Sequence, residues 1–202
     1  MIAPITLGVI GILLLVGLGR NTLKDFHMNA IFFVLMLAAV IGLNFIPTLY
    51  IGAFSFRIGS LILYLFAFAM FWFFGRFTSQ ITAFGIALIL GGLAFAATRL
   101  AMLAGNDFFA TSNWVYAIII GTLAFILTQN GKFSFVVSAI AMMLFNGLVQ
   151  IGSGAYNLHF GFDWTVIAIL TAVVMFEVLS RVVRRPSRLA YYFETSRLEE
   201  RD

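Results

Sequence analysis

Cysteine is absent from the chain, which excludes disulfides, thiolate nucleophiles and cysteine metal sites and leaves the redox compartment open. Charge is also scarce. Asp, Glu, Lys and Arg make up 10% of the 202 residues, against roughly 25% in an ordinary soluble domain. That is too little polar surface to cover a soluble globule. With 62% hydrophobic residues and a mean hydropathy of +1.06, most of the surface must face lipid. There are only two histidines, His27 and His159. In the span order below they fall on opposite sides of the membrane and cannot share a metal, and no cofactor or metal motif is recognised.

The net charge of +4 does not point to nucleic acid. Six of the twelve Lys and Arg residues lie in the last twenty-two positions, so residues 186–202 read as a basic, membrane-proximal tail. Leu189, Tyr192, Phe193 and Ser196 recur there at helical spacing between arginines. That pattern suits a short helix on an anionic inner leaflet, with a solvated tail as the alternative.

Apolar runs are what the chain has in abundance. Residues 2 to 19 carry no charge before Arg20, so the basic start of a cleavable signal peptide is missing and the run reads as a retained first span. After the polar segment from Arg20 to His27, a second span covers Ala30 to Leu43. Pro47 and Gly52 then break the helical pattern. The third span runs from Ile58 to Gly75, and the fourth from beyond Gln80 to Ala104, carrying Gly91-Gly92 and Arg99. A fifth covers Trp114 to Thr128, a sixth follows the turn Gln129-Asn130-Gly131-Lys132 to Ile151, and a seventh runs from Trp164 to Ser180. At about 1.5 Å per residue each can cross most or all of a core near 30 Å thick.

The resulting expectation is an all-α, polytopic transmembrane helix bundle of about seven spans, with residues 1–185 as a single domain. Arg20, Lys24, Arg76, Lys132 and the tail arginines fall on one side of that order. Only Arg57 and Arg99 fall towards the other. Basic residues collect on the cytoplasmic side, so the amino terminus is expected outside and the carboxyl terminus in the cytoplasm. Trp72, Trp114 and Trp164 lie at interface depths. An echo between residues 39–76 and 144–181 suggests parallel three-helix repeats, 1–76 and 114–181, with chance similarity between greasy hairpins as its rival.

Ionisable groups inside or bordering a membrane are costly and mark candidate sites. Arg57, Arg99, Asp107, His159 and Asp163 share the expected outer face, where they can form interhelical ion pairs, line a polar vestibule, or stand as unconnected interfacial charges, with Arg99 snorkelling to the headgroups. Sliding one repeat onto the other by about 106 residues places Arg57 on Asp163, which predicts that these two pair. On the inner side Glu177 precedes Arg181 by four residues, the favourable order for a helical ion pair. Close backbone approach is expected at Gly8 and Gly11, at Gly91-Gly92, and at Gly147 with Gly152.

Catalytic motifs are nearly missing. Ser153, between Gly152 and Gly154, sits in a loop with His159 too near in sequence to come from a facing helix. Asp107 and Asp163 lie at span ends, unlike an intramembrane aspartyl dyad. The expectation is that the chain is not an enzyme.

The order of features resembles an uncharacterised family of bacterial and archaeal multi-pass membrane proteins. The features are Asn44-Phe45-Ile46-Pro47 closing the second span, a Gly-bearing start to the third, an Asp-containing segment before the fifth, and a Gly-rich loop ending at Asp163. This chain departs from that pattern at Gly59-Ser60, where a Gly-Gly pair is expected, and in its diluted loop Gly152-Ser153-Gly154 and Gly161-Phe162-Asp163. The resemblance implies a membrane location and no established activity. The function read from the residues is transport or passage of a small solute, ion or lipid in a prokaryotic plasma membrane. The alternatives are a structural scaffold binding a partner membrane protein or a second copy, and the substrate-capturing subunit of a modular importer. Membrane lipids are the expected surroundings.

Overall fold

The computed structural model describes residues 2–15, 19–52, 54–74, 76–154, 158–160 and 163–183. The basic tail with its expected surface helix, and Gly161-Phe162 of the Gly-rich loop, lie outside the described residues. The described chain forms nine helices and three short strands. In order these are α1 (Ile2–Leu15), α2 (Arg20–Phe26), α3 (Ala30–Leu43), β1 (Leu49–Ile51), β2 (Phe54–Phe56), α4 (Ile58–Phe74), α5 (Phe77–Leu103), α6 (Asp107–Thr111), α7 (Asn113–Thr128), α8 (Gly131–Gly152), β3 (Leu158–Phe160) and α9 (Asp163–Val183).

Three helices, α5, α8 and α9, are long and apolar enough to cross a membrane, and a fourth crossing is reached if α2 and α3 count as one bent span. That is fewer than the seven spans expected. The difference is one of length: α1, α3, α4 and α7 have 14, 14, 17 and 16 described residues, or about 21–26 Å at helical rise, short of a core of about 30 Å.

The segment from Arg20, expected to be a loop, is a helix instead. Leu23 and Phe26, three apart, are buried with Thr22, while Arg20 and Lys24 are exposed. His27 ends it in the left-handed region at φ 54°, and Asn29 starts α3 by accepting from Ile31 N at 3.1 Å, so the chain turns by 90°.

The all-α expectation misses a small sheet. β1 and β2 form an antiparallel hairpin around Gly52, at φ 60°, and β3 joins β2 in parallel with Ser55 opposite His159. Aromatic and β-branched residues here suit a pleated surface better than a helix.

The helix α8 is the hub. It supplies residues to two buried clusters, one on either side. Phe135, Val136 and Ala139 face Leu23, Phe26, Leu37 and Leu63. Val137, Ala141, Met142 and Phe145 face Ala87, Leu90, Ala117 and Ile120. In the first cluster the rings of Phe26, Phe33, Phe66 and Phe135 meet edge to face, with centroids 5.6 to 6.4 Å apart. In the second, α7 lies so close to α9 that a Cβ at Gly121 would meet the Ala168 carbonyl.

Close approach is not where the sequence pattern placed it at Gly8, Gly11 and Gly92, which have no heavy atom within 4 Å of an added Cβ. Gly91 does sit against α8, and Gly152 against the guanidinium of Arg99.

Side-chain contacts sort the polar segments to two ends of the bundle. Residues 21–25 meet Lys132 and Glu177 at one end. Ser55 meets His159, and Arg99 lies against Gly152, at the other.

Candidate functional site

At the first end, two carboxylates each bind the opening turn of another helix. The first N–H groups of a helix lack partners within it and carry partial positive charge. Helix α2 has no side-chain cap of its own at Gly19. Glu177 of α9 takes that place: its Oε2 accepts from Thr22 N at 3.1 Å and from Thr22 Oγ1 at 3.0 Å. Asn21 Nδ2 reaches Ser180 Oγ at 3.0 Å and Glu177 Oε1 at the long distance of 3.5 Å. From α2, Asp25 Oδ2 in turn accepts from Lys132 N at 2.7 Å, at the start of α8, where Asn130 also caps. The short helix is thereby strapped across the ends of α8 and α9. Glu177 was expected to pair with Arg181. Its described partners are on α2, and the Arg181 side chain lies outside the described residues.

Beneath this strap lies a cavity of about 330 Å³. Its longest wall is one face of α9, made of Val166, Ile169, Leu170, Val173, Val174, Glu177 and Val178. Those positions recur at three and four residues, which is the periodicity of a single helical stripe. The stripe spans thirteen residues, Val166 to Val178, or about 18 Å at helical rise. Leu7, Ile10, Phe33, Met36, Leu37, Leu63 and Phe135 close the other sides, and Gly19, Thr22, Leu23 and Phe26 of the α2 segment close the end. Apart from Thr22 and Glu177 the described side chains of the wall are apolar. Val174 and Val178 are about half exposed, so the cavity reaches the outside of the bundle beside α9. Sequence periodicity could have shown the α9 stripe. What it could not show is that the facing helices leave the stripe uncovered.

The second end holds the other residues singled out in the sequence. Ser55, buried in β2, meets His159 Nδ1 at 2.9 Å and donates to the Leu158 carbonyl at 3.3 Å. Gln150 clamps the His159 backbone from α8, with its Oε1 accepting from His159 N at 2.5 Å and its Nε2 donating to His159 O at 2.6 Å. Next to the sheet, Tyr64 on α4 bonds to Thr165 on α9 at 2.8 Å. Arg99 lies over the Phe95 ring at 5.4 Å. Arg57 and Asp107 are exposed, and Asp163 stands in the first turn of α9. Among the described contacts, none joins any two of Arg57, Arg99, Asp107 and His159. The hydroxyl of Ser153 bonds to the Gln150 carbonyl in its own turn. Among the described residues, two buried amide atoms, Asn44 Oδ1 and Asn146 Nδ2, have no hydrogen-bond partner.

Comparison of the chain with protein-family models, with curated proteins and with solved structures finds no match. The resemblance carried by Asn44-Phe45-Ile46-Pro47 and the Gly-rich loop therefore identifies no family, and what stands is a helical protein with about three candidate membrane spans.

Proposed function

We propose that this chain is a polytopic membrane protein that carries or passes a small lipid-like molecule, in preference to an ion or a polar solute. The observation that carries this reading is the apolar cavity running some three turns along α9 and reaching the outside of the bundle. A site for ions needs polar ligands in a row. The hydroxyls of Ser134 and Ser138 on the central helix instead bond back to the carbonyls of Gly131 and Ser134, which supports the lipid-like reading.

In this proposal the α2 end faces the cytoplasm. Arg20, Lys24 and Lys132 gather there, against Arg57 and Arg99 at the other end, in keeping with the collection of basic residues on the inner side. The chain crosses seven times. The short helices α1, α3, α4 and α7 complete their crossings with the residues that flank them.

The test is exchange of a fluorescent single-chain lipid analogue between the leaflets of proteoliposomes. The native protein is expected to speed exchange, and Leu170→Trp, which fills the cavity, to abolish the gain. Equal rates with and without protein would refute carriage. Stable co-purification of another membrane protein, together with such equal rates, would favour a scaffold.

A further inference from the structure

At the far end of α5 a guanidinium is placed with donors to spare. Arg99 is half-buried. Its charged group lies over the Phe95 ring at 5.4 Å, a cation–π distance, and its terminal nitrogen rests against Gly152 where α8 ends. Among its described contacts none is a hydrogen bond or an ion pair. We infer that Arg99 holds a phosphate-type oxyanion at the membrane interface, supplied by the head of a phospholipid. The inference rests on the membrane reading above and is independent of the α9 cavity.

Depth puts the guanidinium level with lipid phosphates. Helix α5 has 27 residues, about 40 Å at helical rise, against a core of about 30 Å. Its first turn is polar through Gln80. A core counted from Ile81 takes about twenty residues and closes near Leu100. Arg99 therefore stands at the edge of the hydrocarbon, where an unpaired cation is costly and a lipid phosphate is within reach.

The neighbouring helix end does not use up its donors. The last carbonyls of α8 are already engaged: Val149 and Gln150 accept from Ser153 N at 3.0 and 3.1 Å, Gln150 also from Ser153 Oγ at 2.8 Å, and Ile151 from Gly154 N at 3.0 Å. The planar fork of an arginine matches two oxygens of one phosphate, which a lysine in its place does not. Gly152 fixes where the fork sits. A Cβ there would occupy the position of the guanidinium, so this glycine makes room for a charge and not for a helix backbone. Towards the middle of the membrane the same face of α5 continues through Phe95, Gly92 and Leu88, spaced by three and four residues. Leu88 is exposed and a Cβ added at Gly92 meets no heavy atom within 4 Å. An acyl chain hanging from the phosphate can lie along that face.

The experiment counts lipids bound to the full chain in mild detergent by native mass spectrometry. Phosphatidylglycerol is compared with a diacylglycerol of the same acyl chains, which lacks the phosphate. The native protein is expected to retain phosphatidylglycerol at least about tenfold better than Arg99→Gln does, the loss of one charge-assisted pair, and diacylglycerol no better than that variant. Arg99→Lys should fall between the two. Gly152→Ala keeps the charge but moves the end of a flexible side chain, so it should lose most of the retention while the melting midpoint changes little. Inorganic phosphate is the third probe: a rise in the melting midpoint with phosphate alone, abolished in Arg99→Gln, assigns a free anion as the source and overturns the lipid assignment. Equal retention of phosphatidylglycerol by the native protein, Arg99→Gln and Gly152→Ala overturns the site. Release of the protein from vesicles by an alkaline wash overturns the membrane reading itself.

Discussion

Gly91 and Gly92 are neighbours in the middle of α5, yet the packing around them predicts opposite responses to the same change. Alanine is favoured over glycine in a helix interior by about 0.8–1 kcal/mol, so by propensity alone both substitutions stabilise. At Gly92 a new Cβ finds no heavy atom within 4 Å, and the gain is kept. At Gly91 it meets the Ala141 carbonyl oxygen at 2.8 Å and Leu144 Cβ at 3.1 Å. The first of these is backbone of the central helix and cannot rotate away. Forcing a methyl into a filled contact costs about 1–3 kcal/mol, which cancels or outweighs the propensity gain. Gly92→Ala should therefore hold or raise the melting midpoint in mild detergent, and Gly91→Ala should lie below it by about 1–3 kcal/mol. For a chain of this length that is a separation of roughly 5 °C. Two variants that melt together, or Gly92→Ala melting lower, would falsify the assigned face of α5.

The strap makes a second prediction: Glu177→Ala removes the acceptor of Thr22 N and Oγ1 and should cost about 1–3 kcal/mol, while Glu177→Gln, which retains one acceptor oxygen, should cost less in the same melt. Asn130→Ala should lose about 1 kcal/mol of cap energy at α8, read from the midpoint of denaturant unfolding. At the other end, Tyr64→Phe and Thr165→Val should be non-additive in a double-mutant melt, because their hydroxyls bond at 2.8 Å. Arg57→Ala and Asp163→Ala test the expected pair: a coupling above about 0.5 kcal/mol in a double-mutant melt supports it, and additivity refutes it. Sidedness is checked by single cysteines in otherwise cysteine-free protein: at Asn106 and Ser153 an impermeant thiol reagent should react in intact cells, at Asn130 only after lysis. Labelling of all three in intact cells would sink the proposed orientation.

The helical runs were legible because a long apolar stretch bounded by polar residues has few other fates in a chain this poor in charge. The break at Asn130-Gly131 is one example, since the residue that signals a turn is also the cap observed on α8. The sheet was not legible. Tyr50, Phe54 and Phe56 suit a strand as well as an interfacial loop, and β3, the partner of β2, lies more than a hundred residues away. The strap was hidden for the same reason. Leu23 and Phe26 mark a buried helical face, but Thr22 gives no local sign that its acceptor is Glu177, 155 positions on. Pairing by shared sequence offset pointed to Arg57 and Asp163. The strands align with nearly that offset, and there Ser55 meets His159.

The strap also constrains how the protein is made. Translation delivers α2 early, but the carboxylate that holds its first turn arrives with α9 and the backbone it holds in turn arrives with α8. Until then α2 is a seven-residue helix with no side-chain cap of its own, too short to be stable in isolation. The docked form of α2 can therefore assemble only once α8 and α9 have been made. Chains halted on the ribosome before α9 should be cut at Lys24, and chains released after it should resist.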